Sequence, residues 1–184
     1  MTAGRRKRVS ICDYGAGNVR SVAVAFRRLG VEVVDDPLGA DLCVLPGVGS
    51  ASSAMAGLRQ RGLDEALRER FQLGRPMLGI CLGLQLALDE SEEDGGVPGL
   101  GLLPGRAVRL RGGRVPRIGW STVEPGGDAF YFAHSYAALT PAATAHSEGV
   151  VAEARLRSFV GVQFHPEKSG AAGARFLERC LSHA

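Results

Sequence analysis

The sequence lacks the cysteine patterns that cross-link a small fold through disulfides or bind a metal ion. Its four cysteines, Cys12, Cys43, Cys81 and Cys180, are widely separated and form no C-x-x-C pair. Neither a disulfide framework nor a zinc knuckle is therefore predicted. We expect no metal site and no cofactor, and a reducing cytoplasm is the simplest setting.

The sequence also lacks long apolar runs and an excess of one charge. No segment approaches the roughly 20 apolar residues of a membrane span, and the 22 basic and 19 acidic residues are mixed along the chain. Neither a nucleic-acid partner nor a membrane is predicted. The basic residues 1–8 are expected to form a disordered tail without the apolar core of a signal peptide, and residues 9–184 to form one domain.

Short β-rich runs alternate with helical patterns in the first half of the chain. Helices are predicted at about 18–29, 52–60 and 63–73, with Asn18 as the cap of the first and another helix after Cys81. Such alternation favours βαβ units and a parallel sheet. From residue 106 the predicted strands are too close together for crossover helices, so we expect a mixed or antiparallel extension of the same α/β domain, closed by a helix at 170–182.

The stretch LGICLGLQLALDE, residues 78–90, places Cys81 between Gly79 and Gly83, where a strand gives way to a helix. A strand that enters a helix through G-x-C-x-G forms a nucleophile elbow, a strained corner at which side chains on either glycine would collide. The free N–H groups of the helix favour a thiolate and can bind a developing oxyanion. A buried structural thiol, the role expected of the other cysteines, is equally compatible with this stretch alone.

A second motif, GVQFHPEKS at 161–169, supplies a base and a carboxylate. Pro166 is predicted to stop strand pairing and to leave His165 and Glu167 exposed at the sheet edge. A nucleophile needs a base, and the base needs a group that orients it. The chain order Cys, His, Glu differs from that of serine α/β-hydrolases, which disfavours their fold. The alternative for His165 is a capped surface histidine.

Two glycine-rich stretches fail as nucleotide-binding motifs. DYGAGNVR has Arg20 where a third glycine is required, and PGVGSASS lacks the lysine of a P-loop. Both follow strands, however, so the backbone N–H groups of Gly47 and Val48 can lie beside Cys81 as half of an oxyanion hole. A plain turn is the alternative.

The pair GICLGLQ and GVQFHPEKS resembles the class I, or triad, glutamine amidotransferases, and the resemblance spans about residues 9–182. It implies a flavodoxin-like α/β domain with a mostly parallel sheet. By this resemblance Cys81 attacks the glutamine carboxamide to form a thioester, His165 shuttles protons, and Glu167 orients His165. The other implied positions are an oxyanion hole and a glutamine-binding set: Gly47, Val48 and Leu82 for the first, and Gly47, Gln85, His134, Ser135 and Tyr136 for the second.

Four further stretches are similar to the branch of that family that serves imidazole glycerol phosphate synthase in histidine biosynthesis: DYGAGNVRSV, LPGVGS, GW at 119–120 and YFAHSY. This resemblance implies a heterodimer in which ammonia passes to a (βα)₈-barrel cyclase subunit. The residues that match its docking face are Asn18, Trp120, Tyr131 and Lys168. The sequence alone places Trp120 in the core instead.

Two departures from the family pattern fall outside the triad. Residues 116–121 read P-R-I-G-W-S where the family reads P-H-M-G-W-N, with changes at Arg117, Ile118 and Ser121, and Ala51 replaces the usual aromatic residue after G-V-G-S. Two alternatives stay open: another triad glutaminase, serving anthranilate, aminodeoxychorismate or pyridoxal phosphate synthesis, and a regulatory subunit that keeps the fold without turnover.

Overall fold

A computed structural model of the chain describes residues 5–15 and 17–184. The α-helices within these residues are α1 (Val19–Arg28), α2 (Ala51–Gln60), α3 (Leu63–Gln72), α4 (Leu82–Leu86) and α5 (Gly170–Ser182). The strands are β1 (Arg8–Ile11), β2 (Glu32–Val34), β3 (Leu42–Leu45), β4 (Met77–Ile80), β5 (Glu90–Ser91), β6 (Val97–Pro98), β7 (Arg106–Arg109), β8 (Arg117–Thr122), β9 (Ala129–His134), β10 (Tyr136–Leu139), β11 (Ala143–Ser147), β12 (Val150–Leu156) and β13 (Phe159–Val162). The four helices predicted with bounds lie within about a residue of these positions.

The central sheet has seven strands in the order β11-β12-β13-β4-β3-β1-β2. Strands β2, β1, β3, β4 and β13 run parallel, and β12 and β11 continue the sheet in antiparallel fashion. Because the inner strands β3 and β4 are buried on both faces, they read as continuous apolar runs such as LCVL. The expected single-domain α/β fold with a mostly parallel sheet is confirmed.

The second half of the chain is more divided than a simple extension of this sheet. A four-stranded sheet has the order β10-β7-β5-β6, and β8 pairs with β9 as an antiparallel hairpin. The sequence patterns did not predict β10, β11 or the two-residue strands β5 and β6. The β8–β9 hairpin lies over the carboxyl end of the central sheet, since the backbone N–H of His165 donates to Tyr131 O at 2.8 Å.

A buried guanidinium fastens the amino-terminal edge of the sheet. The Arg70 side chain on α3 is fully buried, and it has no carboxylate partner among the described residues. Its donors instead reach five backbone carbonyls at 2.8–3.1 Å: those of Pro37, Leu38, Ala40, Asp41 and Pro76. One side chain thereby ties the β2–β3 loop to the start of β4.

The basic tail is described only in part, because residues 1–4 lie outside the described residues. Arg5 forms an ion pair with Asp41 at 2.6 Å, and β1 begins at Arg8, the last residue of the expected tail. Among the residues described, no helix has both the length and the hydropathy needed to cross a lipid bilayer.

Candidate active site

Cys81 occupies a strained corner between β4 and α4. Its φ of 53° and ψ of −106° put a residue with a side chain in the left-handed half of backbone space, which costs energy and is typical of functional sites. A Cβ atom on Gly79 would lie 2.7 Å from the Phe159 ring, and one on Gly83 would overlap the Leu45 carbonyl oxygen. The predicted strained corner between strand and helix is thus present, and both glycines are required by close packing.

The sheet register brings His165 to the same edge as Cys81. Strands β4 and β13 pair in parallel from Met77 opposite Phe159 to Ile80 opposite Val162, and the Cys81 N–H then donates to Val162 O at 2.7 Å. Both strands end here, so the residues that follow them meet above the carboxyl edge of the sheet.

His165 and Glu167 form a buried pair. The distance from His165 Nδ1 to Glu167 Oε1 is 2.9 Å, and the two side chains are only 2% and 1% exposed. The prediction that Pro166 leaves them exposed is wrong, because Pro166–Lys168 forms a 3-10 turn that folds back under β9 and α5. Packing against these elements removes both groups from water.

The surroundings of His165 favour its protonated form. Burial lowers the pKa of His165, but interactions with the Cys81 sulfur and the Glu167 carboxylate outweigh burial and raise the pKa to about 9. An imidazole with such a pKa carries a proton at neutral pH and can deliver it to a leaving group.

The predicted oxyanion loop packs directly on the elbow. A Cβ atom on Gly47 would lie 2.7 Å from both Leu82 Cβ and the Tyr14 hydroxyl oxygen, so only glycine fits there. The Tyr14 hydroxyl donates to Pro46 O at 2.8 Å and fixes the start of the loop. Val48 and Gly49 line the cavity beside Cys81, and the N–H of Leu82 lies in the first turn of α4, where it has no partner within the helix.

A cavity of about 280 Å³ opens beside the thiol. Four of its lining residues are expected glutamine-binding positions: Gln85, His134, Ser135 and Tyr136. Burial lowers the pKa of His134 to about 4, so its imidazole is neutral at pH 7. His134 Nδ1 lies 2.8 Å from Tyr136 O and donates to it, and Nε2 has no partner within the described residues.

Two residues at this site escaped the sequence analysis. Gln163, fully buried on the strand end, donates from Nε2 to Cys81 Sγ at 3.5 Å and accepts from Gln85 Nε2 at 3.1 Å. Glu93 lines the cavity, and its carboxylate accepts from the Ala51 N–H at 2.7 Å at the start of α2. The apolar residues around Gln163 were the available signal, whereas Glu93 lies in the acidic stretch DESEEDGG at 89–96, where nothing in the sequence distinguishes it from its neighbours.

Three of the four expected docking residues, Asn18, Tyr131 and Lys168, lie beside the His165–Glu167 pair, and the fourth, Trp120, packs against Tyr131. Trp120 is 58% exposed, so its predicted place in the core is wrong. Its ring meets Tyr131 edge to face at 6.2 Å, and Lys168 Nζ lies 5.9 Å from the Tyr131 ring centre. The Asn18 side chain makes no cap bond to α1 and instead donates to Glu167 Oε1 at 3.2 Å.

Arg117, the main departure from the family pattern, holds the β8–β9 hairpin in place. Its guanidinium donates to Ser147 Oγ at 2.8 Å, pairs with Glu148 at 3.4 Å and lies 4.4 Å from the Phe132 ring centre. Ala51 is buried at the start of α2, beside the Glu93 carboxylate. Within residues 5–15 and 17–184, no cluster of three or more His, Cys, Asp or Glu side chains could hold a metal ion.

A thiol on an elbow, a buried His–Glu pair and a cavity beside them define a class of amide-hydrolysing enzymes. The chain belongs to the class I glutamine amidotransferase family, whose sequence model matches residues 10–184. It is 45% identical to the imidazole glycerol phosphate synthase subunit HisH of Symbiobacterium thermophilum, over 92% of this chain and 91% of that protein.

Two other similarities have different extents. The chloroplastic imidazole glycerol phosphate synthase hisHF of Arabidopsis thaliana is 42% identical over 94% of this chain but only 34% of that protein. A crystal structure of a glutamine amidotransferase matches with a TM-score of 0.75 over 95% of this chain and 98% of that one. At 21% identity the latter similarity supports the fold alone.

Proposed function

We propose that the chain is the glutaminase subunit of an imidazole glycerol phosphate synthase in histidine biosynthesis, which hydrolyses glutamine and donates the ammonia to a cyclase subunit. The observation that carries the proposal is Cys81 on its strained elbow, beside the buried His165–Glu167 pair. The similarity to proteins named imidazole glycerol phosphate synthase subunit HisH supports this synthase over the other triad amidotransferases.

In the first half of the reaction, the Cys81 thiolate attacks the carboxamide carbon of glutamine. The oxygen becomes an oxyanion, which the N–H groups of Val48 and Leu82 stabilise. His165 gives its proton to the nitrogen, the C–N bond breaks, and ammonia leaves a glutamyl thioester on Cys81. Glu167 holds the imidazole ring of His165 in orientation throughout.

In the second half, the now neutral His165 takes a proton from water, which attacks the thioester. Glutamate leaves, and the thiolate of Cys81 and the proton on His165 are restored. Gln85, His134, Ser135 and Tyr136 line the glutamine cavity, and the Glu93 carboxylate there is suited to the α-ammonium group of the substrate. The thiol must stay reduced, as it does in a cytoplasm.

The partner is proposed to be a (βα)₈-barrel cyclase subunit that docks on Asn18, Trp120, Tyr131 and Lys168. Exposure of Trp120 supports an interface, because large aromatic side chains are enriched at interface centres. The Arabidopsis relative is a synthase of which this chain matches about a third, which supports a separate protein for the remaining part of the reaction.

Replacement of the nucleophile tests the proposal. Cys81→Ala should abolish glutamine-dependent formation of imidazole glycerol phosphate with the cyclase subunit, yet leave synthesis from added ammonium salts at high pH. A glutamine-like diazo-ketone should label Cys81 and spare Cys12, Cys43 and Cys180, with Cys180→Ala as the matched control. Glutaminase turnover in Cys81→Ala would overturn the mechanism, and a wild-type chain without turnover beside its cyclase would favour a regulatory subunit.

A further inference from the structure

A second cavity, of about 340 Å³, opens at the opposite end of the central sheet from the nucleophile. It is lined by Met77 and Val160, at the beginnings of β4 and β13. Cys81 and His165 follow the far ends of the same two strands. The cavity is therefore separate from the glutamine site, and an inference about it does not rest on the proposed function.

The lining of this cavity combines an apolar floor with a basic rim. Leu42, Met77 and Phe176 contribute to the floor, and Arg157 and Arg179 stand at the rim. Within residues 5–15 and 17–184, neither arginine forms an ion pair, and no carboxylate lines the cavity. A third arginine of the lining, Arg155, is already paired with Glu153 at 2.7 Å.

The two-residue turn between β12 and β13 supplies two unusual groups to this lining. Arg157 has a φ of 54°, at a turn position where asparagine or glycine is ordinarily found. Ser158 Oγ is buried and has no hydrogen-bond partner within the described residues, although buried polar atoms are almost always bonded. The unfavourable backbone conformation of Arg157 and the unpaired hydroxyl of Ser158 occur at the same cavity. Together they favour a ligand that bonds to both side chains.

We propose that this cavity binds a small organic anion. An aromatic or branched aliphatic group would cover the apolar floor, and a phosphate or carboxylate head would accept from Arg157, Arg179 and Ser158. Arg157 lies 5.4 Å from the Phe71 ring centre and Arg179 lies 5.7 Å from that of Phe176. Guanidinium groups held against aromatic rings lose little freedom when they bind an oxyanion through two parallel hydrogen bonds.

The site is tested by titrating the full chain with phenyl phosphate. Binding is measured by calorimetry and by the shifts of backbone amide signals in NMR spectra. We expect shifts at 74–77, 155–160 and 176–183, and weaker binding of both phenol and inorganic phosphate. Arg157→Asn should weaken binding by about tenfold or more, since a charge-assisted bond is lost, while the turn becomes less strained. Arg179→Gln should act similarly, and Ser158→Ala should weaken binding by a smaller factor.

Arg175→Gln is the matched control, because Arg175 lies on the same helix and pairs with Asp128 at 2.8 Å outside the cavity. It should bind phenyl phosphate as the wild type does, and saturating L-glutamine should not displace the probe. Unchanged affinity in both Arg157→Asn and Arg179→Gln would overturn the proposal. So would inorganic phosphate binding as tightly as phenyl phosphate, or amide shifts confined to the glutamine cavity. Thermal unfolding of each variant separates lost binding from lost folding.

Discussion

Asn18 Nδ2 donates a hydrogen bond to Glu167 Oε1, the same carboxylate oxygen that lies 2.9 Å from His165 Nδ1. The other oxygen, Oε2, is buried and has no partner within the described residues. The orientation of the carboxylate therefore depends on a residue at the start of α1, which also belongs to the proposed docking face. A partner that moves Asn18 would act on the triad through one hydrogen bond.

Loss of this bond should slow turnover. A hydrogen bond to a charged group is worth about 1.5–3 kcal/mol, so Asn18→Ala should lower glutamate release by about tenfold to a hundredfold. The KM for glutamine should change little, because Asn18 does not line the glutamine cavity. Rates are compared at saturating cyclase, which removes any effect of weaker docking. Arg20→Gln, an exposed change in the first turn of α1, is the control, and wild-type turnover in Asn18→Ala would refute the link.

Replacement of His165 should lower glutaminase turnover more than replacement of Glu167. His165→Ala should lower glutaminase turnover by at least the roughly 10²–10⁴-fold of a positioned acid–base group. Glu167→Gln should cost less, since the imidazole stays in place. Because the Glu167 carboxylate helps to raise the pKa of His165 to about 9, its removal should move the alkaline limb of the pH–rate profile to lower pH. Near-wild-type rates in both variants would remove the pair from the mechanism.

The glycine that ends the oxyanion loop should permit switching by the partner. Gly49 has a φ of 97° and open space around it, so a Cβ atom would clash with nothing but would restrict the backbone. The restriction is worth about 1–2 kcal/mol, so Gly49→Ala should reduce the ratio of cyclase-stimulated to basal glutamate release about tenfold. Gly30→Ala is the matched control, with a φ of 76°, equally open space and a position at the end of α1. An unchanged ratio in Gly49→Ala would contradict gating by this loop.

Replacement of the buried Arg70 should destabilise the fold severely. Arg70→Ala leaves several carbonyl oxygens without donors, each worth about 1–3 kcal/mol when buried, so the free energy of unfolding should fall by at least about 3 kcal/mol. The free energy of unfolding of Arg70→Lys should lie between those of the wild type and Arg70→Ala, because an ammonium group reaches fewer carbonyls than a guanidinium. Urea unfolding monitored by circular dichroism measures both, with the exposed Arg59→Ala as control. A loss below about 1 kcal/mol would show that water replaces the guanidinium.

His134 should make the fold sensitive to acid. In the unfolded chain His134 takes up a proton near its ordinary pKa of 6.5, whereas in the folded chain its pKa is lowered to about 4. Stability is therefore retained above pH 6.5 and lost as the pH falls toward 4, by up to roughly 3 kcal/mol. His134→Gln should remove this part of the pH dependence, and His146→Gln, at an exposed position, should not. Parallel stability curves for wild type and His134→Gln would contradict the assignment.

Local patterns were sufficient to predict the elbow and most helices. The G-x-C-x-G spacing directly encodes the strained corner at Cys81, and helical periodicity located α1 and α5. Burial of His165 was not predictable in this way, since β9 and α5, which cover it, come from other parts of the chain. Gln163 and Arg70 were missed for the same reason: each is a polar side chain whose partners are brought near it only by the tertiary fold.

The pairing of β4 with β13 also has a consequence for biosynthesis of the protein. Cys81 emerges from the ribosome well before His165, and the base reaches the thiol only when the late strand β13 docks beside β4. On the proposed mechanism, the nascent chain until then carries a nucleophile without its proton donor, so it cannot release ammonia from the glutamine of its surroundings. On that mechanism, hydrolysis of glutamine begins only after the sheet is complete, before any control by a partner can act.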